Sequence, residues 1–324
     1  MAFFKSKRVV VTGGSGFIGS HFVRRLLQQG AEVVVPIHQR KPQAWSHCDV
    51  QIIQANLFDQ DSCRKALEGA DIVIHAAGAV SAAGVTTGTN PMSPITANLT
   101  LTAQIIEACW SARPERLLIF SSSTGYPAFS HPVKEDEMWN ADPHDVYFGY
   151  GWMRRYLEKI SEFLFRRTGV QVALIRPTAT YGPFDDFDPK TSHVIPALIR
   201  RAVVGEHPFE VWGTGEEIRD FLYVEDLVEG CLLSLEKHAS CDPINIGSGE
   251  STTIREIVRC ILEKAGRSNC EPVFRPDKPS TIPIRMVDCT KARLSLGFKP
   301  KYTLAQGIEK TVDYFRDLQK SGNV

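Results

Sequence analysis

The sequence predicts an α/β protein built on a doubly wound parallel sheet, with a smaller α/β lobe attached. Three observations predict it. Short β-branched runs alternate with amphipathic helical patterns through the first half of the 324-residue chain. A glycine-rich run, Thr12-Gly-Gly-Ser-Gly-Phe-Ile-Gly19, stands between the first strand pattern and the first helix pattern. After Pro177 the alternation gives way to turn-rich sequence and shorter elements.

Residues 8–12 are β-branched and stop at glycine, the mark of a buried strand. Residues 17–29 follow as a helix, with apolar positions 18, 22, 23, 26 and 27 on one face and Gly30 as its stop. Strands are expected at 32–36, 51–55, 71–76, 116–121 and 171–176, and helices at 61–68, 94–111 and 146–168. Beyond Pro177, residues 192–204, 224–236, 254–265 and 304–318 read as helices. Residues 209–212, 214–221 and 243–247 read as extended, and 275–283 as an irregular proline-rich stretch. The pattern divides the chain into a dinucleotide-binding part, 1–177 with about 218–246, and a lobe, about 178–217 with 247–320.

Lys and Arg number 37, as do Asp and Glu, so no bulk field draws the chain to nucleic acid or to an anionic membrane. No run approaches the ~18 apolar residues of a membrane helix, and the apolar N-terminal run is too short for a signal peptide. The eight cysteines form no C-x-x-C pair and are expected as reduced, buried thiols. These features together point to a cytoplasmic protein without structural metal.

The glycine run satisfies G-x-G-x-x-G at Gly14, Gly16 and Gly19, and G-x-x-G-x-x-G from Gly13. Between a strand and a helix, such glycines allow a tight turn and close approach of a pyrophosphate to the helix N-terminus. No G-K-[ST] follows, which argues against an ATP-type phosphate loop. The second strand is followed by Val35-Pro-Ile-His38-Gln-Arg40-Lys41, with no acid to accept from ribose hydroxyls. His38 and Arg40 suit a 2′-phosphate instead, so NADP(H) is expected, with NAD(H) as the alternative.

Further motifs complete a recognisable order: His75-Ala-Ala-Gly78, Ser121-Ser-Ser-Thr-Gly-Tyr126, Tyr150-Gly-Trp-Met-Arg154 with Glu158, Arg176-Pro-Thr-Ala-Thr-Tyr-Gly-Pro183, Arg219-Asp-Phe-Leu-Tyr-Val-Glu-Asp226, Ile244-Asn-Ile-Gly-Ser248 and Asp288-Cys-Thr-Lys-Ala292. In this order the chain resembles the extended short-chain dehydrogenase/reductase family, which works on nucleotide sugars through a Rossmann-type domain. Within it, Ser192-His-Val-Ile-Pro and Val211-Trp-Gly-Thr-Gly are most similar to the GDP-L-fucose synthase branch.

The resemblance implies roles for particular residues. Ser122 and Tyr150 would serve the reacting oxygen, with Arg154 standing where the family has lysine. Gly13, Gly16, Phe17, Ile18, Gly19, His38, Arg40, Asn56, Leu57, Ala76, Ala77, Gly78 and Pro177 would line the cofactor together with Tyr150 and Arg154. Ser122, Ser123, Thr124, His193, Arg200, Trp212, Arg219 and Arg285 would face a nucleotide sugar, GDP-linked by preference. Ser123 and Thr124 occupy positions where dehydratases carry an Asp-Glu pair, which argues against a dehydratase. His193 falls on the branch's acid/base histidine, whereas Thr124 replaces its cysteine, so epimerisation loses one proton carrier. The expected chemistry is hydride transfer at C4, in the manner of a reductase, with a 4-dehydrogenase or a simple 4-epimerase as alternatives. A cofactor-binding regulatory protein is the rival from another class, and Arg154 is its basis. The helices at 94–111, with Ile95, Leu99, Thr102, Ile106 and Cys109, and at 146–168, with Trp152, Tyr156, Ile160 and Phe163, resemble those that pair relatives into homodimers.

Overall fold

A computed structural model of the chain describes residues 3–39, 45, 48–79, 90, 92–278 and 282–322. The first half runs β1 (Arg8–Thr12), α1 (Phe17–Gln28), β2 (Glu32–Ile37), β3 (Gln51–Gln54), α2 (Gln60–Ala66), β4 (Ile72–His75), α3 (Met92–Ala112), β5 (Arg116–Phe120), α4 (Phe148–Thr168) and β6 (Gln171–Pro177). The second half runs β7 (Ala179–Tyr181), α5 (Val194–Val203), β8 (Glu210–Trp212), β9 (Ile218–Arg219), β10 (Phe221–Tyr223), α6 (Val224–Lys237), β11 (Ile244–Ile246), β12 (Thr252–Thr253), α7 (Ile254–Lys264), β13 (Val273–Arg275), β14 (Ile284–Arg285), α8 (Thr290–Leu296) and α9 (Leu304–Lys320).

Seven strands form one parallel sheet in the order β3-β2-β1-β4-β5-β6-β11. This is the Rossmann order, extended by β11. The strand order turns from one side of β1 to the other between β3 and β4, and ligands bind beyond the carboxyl ends of strands at such a switch point, here between β1 and β4. The β1–β4 register sets Thr12 beside His75 at that end. Helices cover both faces, so the central strands are apolar on both sides, and Val9, Val10, Val11, Ile72, Val73 and Ile74 are wholly buried.

One face of the sheet packs on α1 and α6 through Phe22, Leu26, Leu227 and Cys231. The other packs on α3 and α4 through Ile105, Cys109 and Leu164. A third core joins α5, α7 and α9 through Ile199, Ile257, Ile261, Val312 and Phe315. Helices α7 and α9 start at capping boxes, Thr253 with Glu256 and Thr303 with Gln306, which satisfy two otherwise orphaned donors at each N-terminus.

Several elements differ from the sequence reading. The single strand expected over 214–221 is two, β9 and β10, broken at Asp220. The buried Asp220 carboxylate accepts from the Ser248 N–H (2.9 Å), the Ser248 hydroxyl (2.7 Å) and the Gly249 N–H (3.1 Å), a demand that a continuous ladder would not meet. The strands β7, β12, β13 and β14 and the helix α8 are two to seven residues long, too short for periodicity to mark. Although α8 lies late in the chain, it packs on α6 and β11 beside the large sheet. On α3, Thr102, Ile106 and Cys109 are buried in the chain's own core rather than offered to a partner, because α3 must cover the sheet.

Candidate active site

Two glycines make the first turn of the site feasible. Gly13 has φ +68°, and a Cβ there would lie 2.6 Å from the Ala77 backbone. A Cβ on Gly19 would lie 2.0 Å from the Gly13 carbonyl oxygen. The loop therefore folds back on α1 and abuts the turn from Ala76 to Gly78. Gly16 is the N-cap of α1, and no side chain caps that end. The first-turn N–H groups thus face an open cradle that a Cβ would fill, which fits a dinucleotide pyrophosphate. Phe17 and Ile18 open the helix, and Ile18 packs both against the core under α1 and α6 and against that of α5, α7 and α9.

Behind the cradle lies a buried polar chain. The Thr12 hydroxyl oxygen accepts from the Ala77 N–H (3.3 Å) and lies at hydrogen-bond distance, 2.8 Å, from His75 Nδ1. His75 Nε2 is in turn paired with Thr102 Oγ1 at 3.0 Å, so both ring nitrogens are engaged. Asn98 fixes the same turn by accepting from the Ala79 N–H (3.2 Å) and donating to the Ala79 carbonyl (2.7 Å). Trp45, which no periodicity singles out, is buried and donates its indole N–H to the Gly14 carbonyl at 2.7 Å.

At the far side of the cofactor groove, His38 is exposed just past β2, and its carbonyl accepts from Gln54 at 2.7 Å. Arg40 lies outside the described residues. Asn56 uses its side-chain oxygen on the Phe58 N–H (3.1 Å), and the Leu57 carbonyl accepts from the Cys63 thiol at 3.4 Å. Pro177 ends β6 opposite Ile246.

The proposed reacting groups sit past the end of β5. Ser122 Oγ accepts both the Thr124 N–H (3.1 Å) and the Thr124 hydroxyl (2.9 Å), leaving its own proton to donate. Gly151 lets this turn pack on α4, since a Cβ there would lie 2.7 Å from the Thr124 carbonyl. One residue earlier stands Tyr150, whose hydroxyl accepts from Arg154 Nη2 at 2.6 Å. Arg154 Nη1 donates to the Phe120 carbonyl at 2.9 Å, tying α4 to the end of β5. The buried Nε of Arg154 has no hydrogen-bond partner among the described residues.

A second group lies toward the smaller sheets. The β9–β14 register sets Arg285 beside Arg219. Burial, and next the Arg285 charge, pull the Arg219 pKa down to about 10. Arg285 Nη1 donates to the Tyr147 hydroxyl at 3.0 Å. Ser123, Tyr147 and Arg285 line one small cleft of about 20 Å³. Paired guanidiniums suit diphosphate oxygens. His193 starts α5 with an exposed side chain 3.7 Å from Asp185. Arg200 lies two turns further along, and its buried Nε has no partner. Trp212 is exposed at the end of β8. Thus the structure joins Gly13 to Ala76 and Ala77, joins Ser122 and Thr124, ties Tyr150 to Arg154, and groups Ser123 with Arg285. Among the described residues no hydrogen bond ties His193, Arg200 or Trp212 to these groups.

Residues 9–247 match the NAD dependent epimerase/dehydratase family. The chain belongs to that family. GDP-L-fucose synthase 1 of Arabidopsis thaliana is 31% identical over 318 residues, covering 96% of this chain and 94% of that one. The dTDP-4-dehydro-6-deoxy-D-allose reductase of Streptomyces bikiniensis is 30% identical, covering 96% of each. The fold matches UDP-glucose 4-epimerase of Thermotoga maritima, solved with UDP-glucose, with a TM-score of 0.85 at 27% identity, covering 96% of this chain and 99% of that one. The protein is therefore an enzyme of the short-chain dehydrogenase/reductase type, and like its family it is NAD(P)-dependent. No helix among the described residues is long and apolar enough to cross a membrane, and no group of three metal-ligating side chains occurs among them.

The buried histidine of the cradle yields a pH prediction. Burial, and next the Arg154 charge, lower the His75 pKa from 6.5 to about 3. The unfolded chain takes up this proton near 6.5, whereas the folded chain refuses it until about 3. The stability tied to neutral His75 is therefore complete above the unfolded value and is lost as pH falls, at about 1.4 kcal/mol per pH unit. Urea unfolding at two pH values about one unit apart, just below the unfolded pKa, should show wild type losing about that much more than His75→Asn. Parallel pH curves for the two proteins would show that His75 titrates alike in both states.

Proposed function

We propose that the protein is an NADP(H)-dependent oxidoreductase/epimerase of a nucleotide-activated sugar, a GDP-sugar by preference, with hydride transfer at C4. The observation that carries this reading is the 2.6 Å bond from Arg154 to the Tyr150 hydroxyl beside Ser122, past the end of β5. The paired Arg219 and Arg285 support a diphosphate-linked substrate. Similarity to GDP-L-fucose synthase and the S-H-V-I-P segment favours GDP. In this reading the large sheet with its helices, including α6 and α8, holds the cofactor. The α5, α7 and α9 side holds the sugar.

Gly13, Gly16 and Gly19, the turn Ala76–Ala77–Gly78 and Arg154 would hold NADP(H), which when bound would supply hydride chemistry. The protein's own residues handle the proton. Ser122 donates its free proton to the sugar oxygen and fixes its position. Tyr150 gives its hydroxyl proton to that oxygen as the carbonyl is reduced, or takes it back in the reverse direction. The guanidinium of Arg154, hydrogen-bonded to the phenol oxygen, stabilises the anion left behind. Arg preserves the charge of the family's lysine while its fork also grips Phe120. Thr124 is no acid/base at neutral pH, so epimerisation falls to His193 alone.

With GDP-4-keto-6-deoxymannose as substrate, followed by loss of reduced-nicotinamide absorbance, Tyr150→Phe should lower kcat by at least about a hundredfold. Arg154→Met should also lower it strongly, and Arg154→Lys should keep or raise it. Equal rates for Arg154→Met and wild type at saturating cofactor would place the catalytic cation elsewhere.

Cofactor choice follows from β2, which ends without an acid. NADPH should bind roughly tenfold to a hundredfold more tightly than NADH, the worth of one charge-assisted phosphate contact. Arg40→Ala should erase most of that preference in a fluorescence titration. An NADH affinity matching that of NADPH in wild type would reverse the assignment.

A homodimer is proposed on the outer face of α4. Trp152, Tyr156 and Phe163 are exposed there, and Trp110 of α3 stacks on Phe163 at 6.2 Å. Large apolar side chains exposed together on one helix face are a mark of a contact surface. Light scattering at micromolar concentration should give twice the 36.1 kDa chain mass, and Tyr156→Glu with Phe163→Glu should give the single mass. A wild-type monomer would reject the interface.

A further inference from the structure

The turn after β7 carries a carboxylate whose placement nothing above explains. Asp185 is buried, with its side chain only 2% exposed. Its Oδ1 accepts the Asp186 N–H at 2.8 Å and lies 3.7 Å from His193 Nδ1. Among the described residues its buried Oδ2 has no hydrogen-bond partner, and neither has the buried hydroxyl of the neighbouring Ser192. A buried acid left half satisfied is expensive to hold ionised, and burial accordingly raises the carboxyl pKa while His193 pulls it down.

The fold nevertheless fixes this acid from three sides. The Asp185 N–H donates to the Gly182 carbonyl at 3.3 Å. His21 of α1 donates from Nε2 to the Pro183 carbonyl at 2.9 Å. Phe184, at φ +68° in the left-handed region that non-glycine residues avoid, is clamped between the rings of His21 (5.6 Å) and Tyr314 (4.9 Å). A strained residue held by contacts from both α1 and α9 marks a position that the surroundings over-determine. What it presents is the Asp185 carboxylate, at the Nδ1 edge of His193. The imidazole is not spent on the helix end, because His193 caps α5 without any side-chain hydrogen bond. Its other edge is open, with the side chain 46% exposed.

We propose that Asp185 is the positioning residue of His193. It takes the Nδ1–H of the imidazole and so presents Nε2 to the substrate as proton acceptor. This deepens the reading of His193 as acid/base on a keto sugar and rests on it. Nε2 takes the proton from the C–H beside the keto group, and the electron pair of that bond passes into the enolate. The imidazolium formed is balanced by the Asp185 carboxylate, and return of the proton restores the neutral ring. The gap of 3.7 Å is loose for a hydrogen bond and would close with substrate in place, as catalytic contacts commonly do.

The test joins a spectrum to an exchange assay. Long-range proton–nitrogen NMR of the full-length protein, with His193 assigned by its loss in His193→Asn, should show the Nδ1–H tautomer in wild type. The ring should shift toward Nε2–H in Asp185→Asn. Deuterium uptake from heavy water into GDP-4-keto-6-deoxymannose, without NADPH, should fall roughly tenfold to a hundredfold in Asp185→Asn with KM nearly unchanged. Identical His193 spectra in wild type and Asp185→Asn overturn the pairing whatever the rates. A changed spectrum with unchanged exchange overturns the catalytic use of the pair. If Asp185→Asn does not fold, an Nε2–H tautomer in wild type alone overturns the proposal. Failure of wild type to oxidise NADPH on any nucleotide sugar would instead count against the proposed function, and the spectrum would still decide the pairing.

Discussion

The buried pair between Glu158 and Arg176 sets the position of everything that the site needs from α4. Arg176, on β6, donates from Nε and Nη2 to the two carboxylate oxygens of Glu158 at 2.8 and 2.7 Å, with both side chains almost wholly buried. A fork-on-carboxylate geometry tolerates little rotation, so α4 is keyed to the sheet in register as well as in distance. The pair is also fully tied in. Glu158 accepts from the Ser121 hydroxyl at 2.5 Å, and Arg176 Nη1 donates to the Tyr126 hydroxyl (3.0 Å) and the Glu135 carbonyl (2.7 Å). Tyr126 passes the chain on to Asn245 at 2.7 Å, whose amide ends on the carbonyls of Val133 and Asp288. Burying two charges is favourable only when their remaining hydrogen-bonding capacity is met, and here it is.

Two consequences reach the chemistry. Tyr150 and Arg154 lie eight and four residues before Glu158, on the same face of α4, so the register that Glu158 fixes also directs them toward the end of β5. Ser121, bound to Glu158, immediately precedes Ser122, so the hydroxyl proposed to meet the substrate is held by the same anchor. The cradle is fixed separately, by backbone contact of Gly13 with Ala77 and by the chain Thr12–His75–Thr102. Arg154 spans the two assemblies. It holds Tyr150 with one nitrogen and the Phe120 carbonyl with another, and its charge helps keep His75 neutral.

Much of this was legible in the sequence because its signals are local. The Arg8–Thr12 strand and the glycines before α1 are matters of periodicity and of backbone space, and they were readable to within a residue. The spacing from Tyr150 to Glu158 already put both on one helical face. What escaped was decided by tertiary geometry. The strand break at Asp220 answers to donors at Ser248 and Gly249, nearly thirty residues away. Trp45 binds the Gly14 carbonyl across a sheet edge. Tyr147 meets Arg285, 138 residues further along the chain, a pairing that no local spacing could reveal. The burial of Thr102, Ile106 and Cys109 shows the limit of helical spacing, which reveals that a face is apolar but not which surface covers it.

The arginine at position 154 is where fold and function meet most tightly. A lysine there would end in one compact ammonium, free to swing between a ribose and the tyrosine. The guanidinium instead divides its donors, with Nη2 on Tyr150, Nη1 on Phe120, and Nε buried and unpartnered. The planar fork cannot give up one contact without turning the others, so the tyrosine is held in place before any ligand arrives. An orphaned Nε–H in a buried setting has a cost, roughly 1–3 kcal/mol for an unsatisfied polar group, that an incoming hydroxyl would relieve. Substitution of arginine for lysine therefore exchanges a mobile cation for a rigid one. In the proposed reaction its expected effect falls on how firmly a cofactor ribose would be held and how the proton would be relayed, while the positive charge beside Tyr150 is retained.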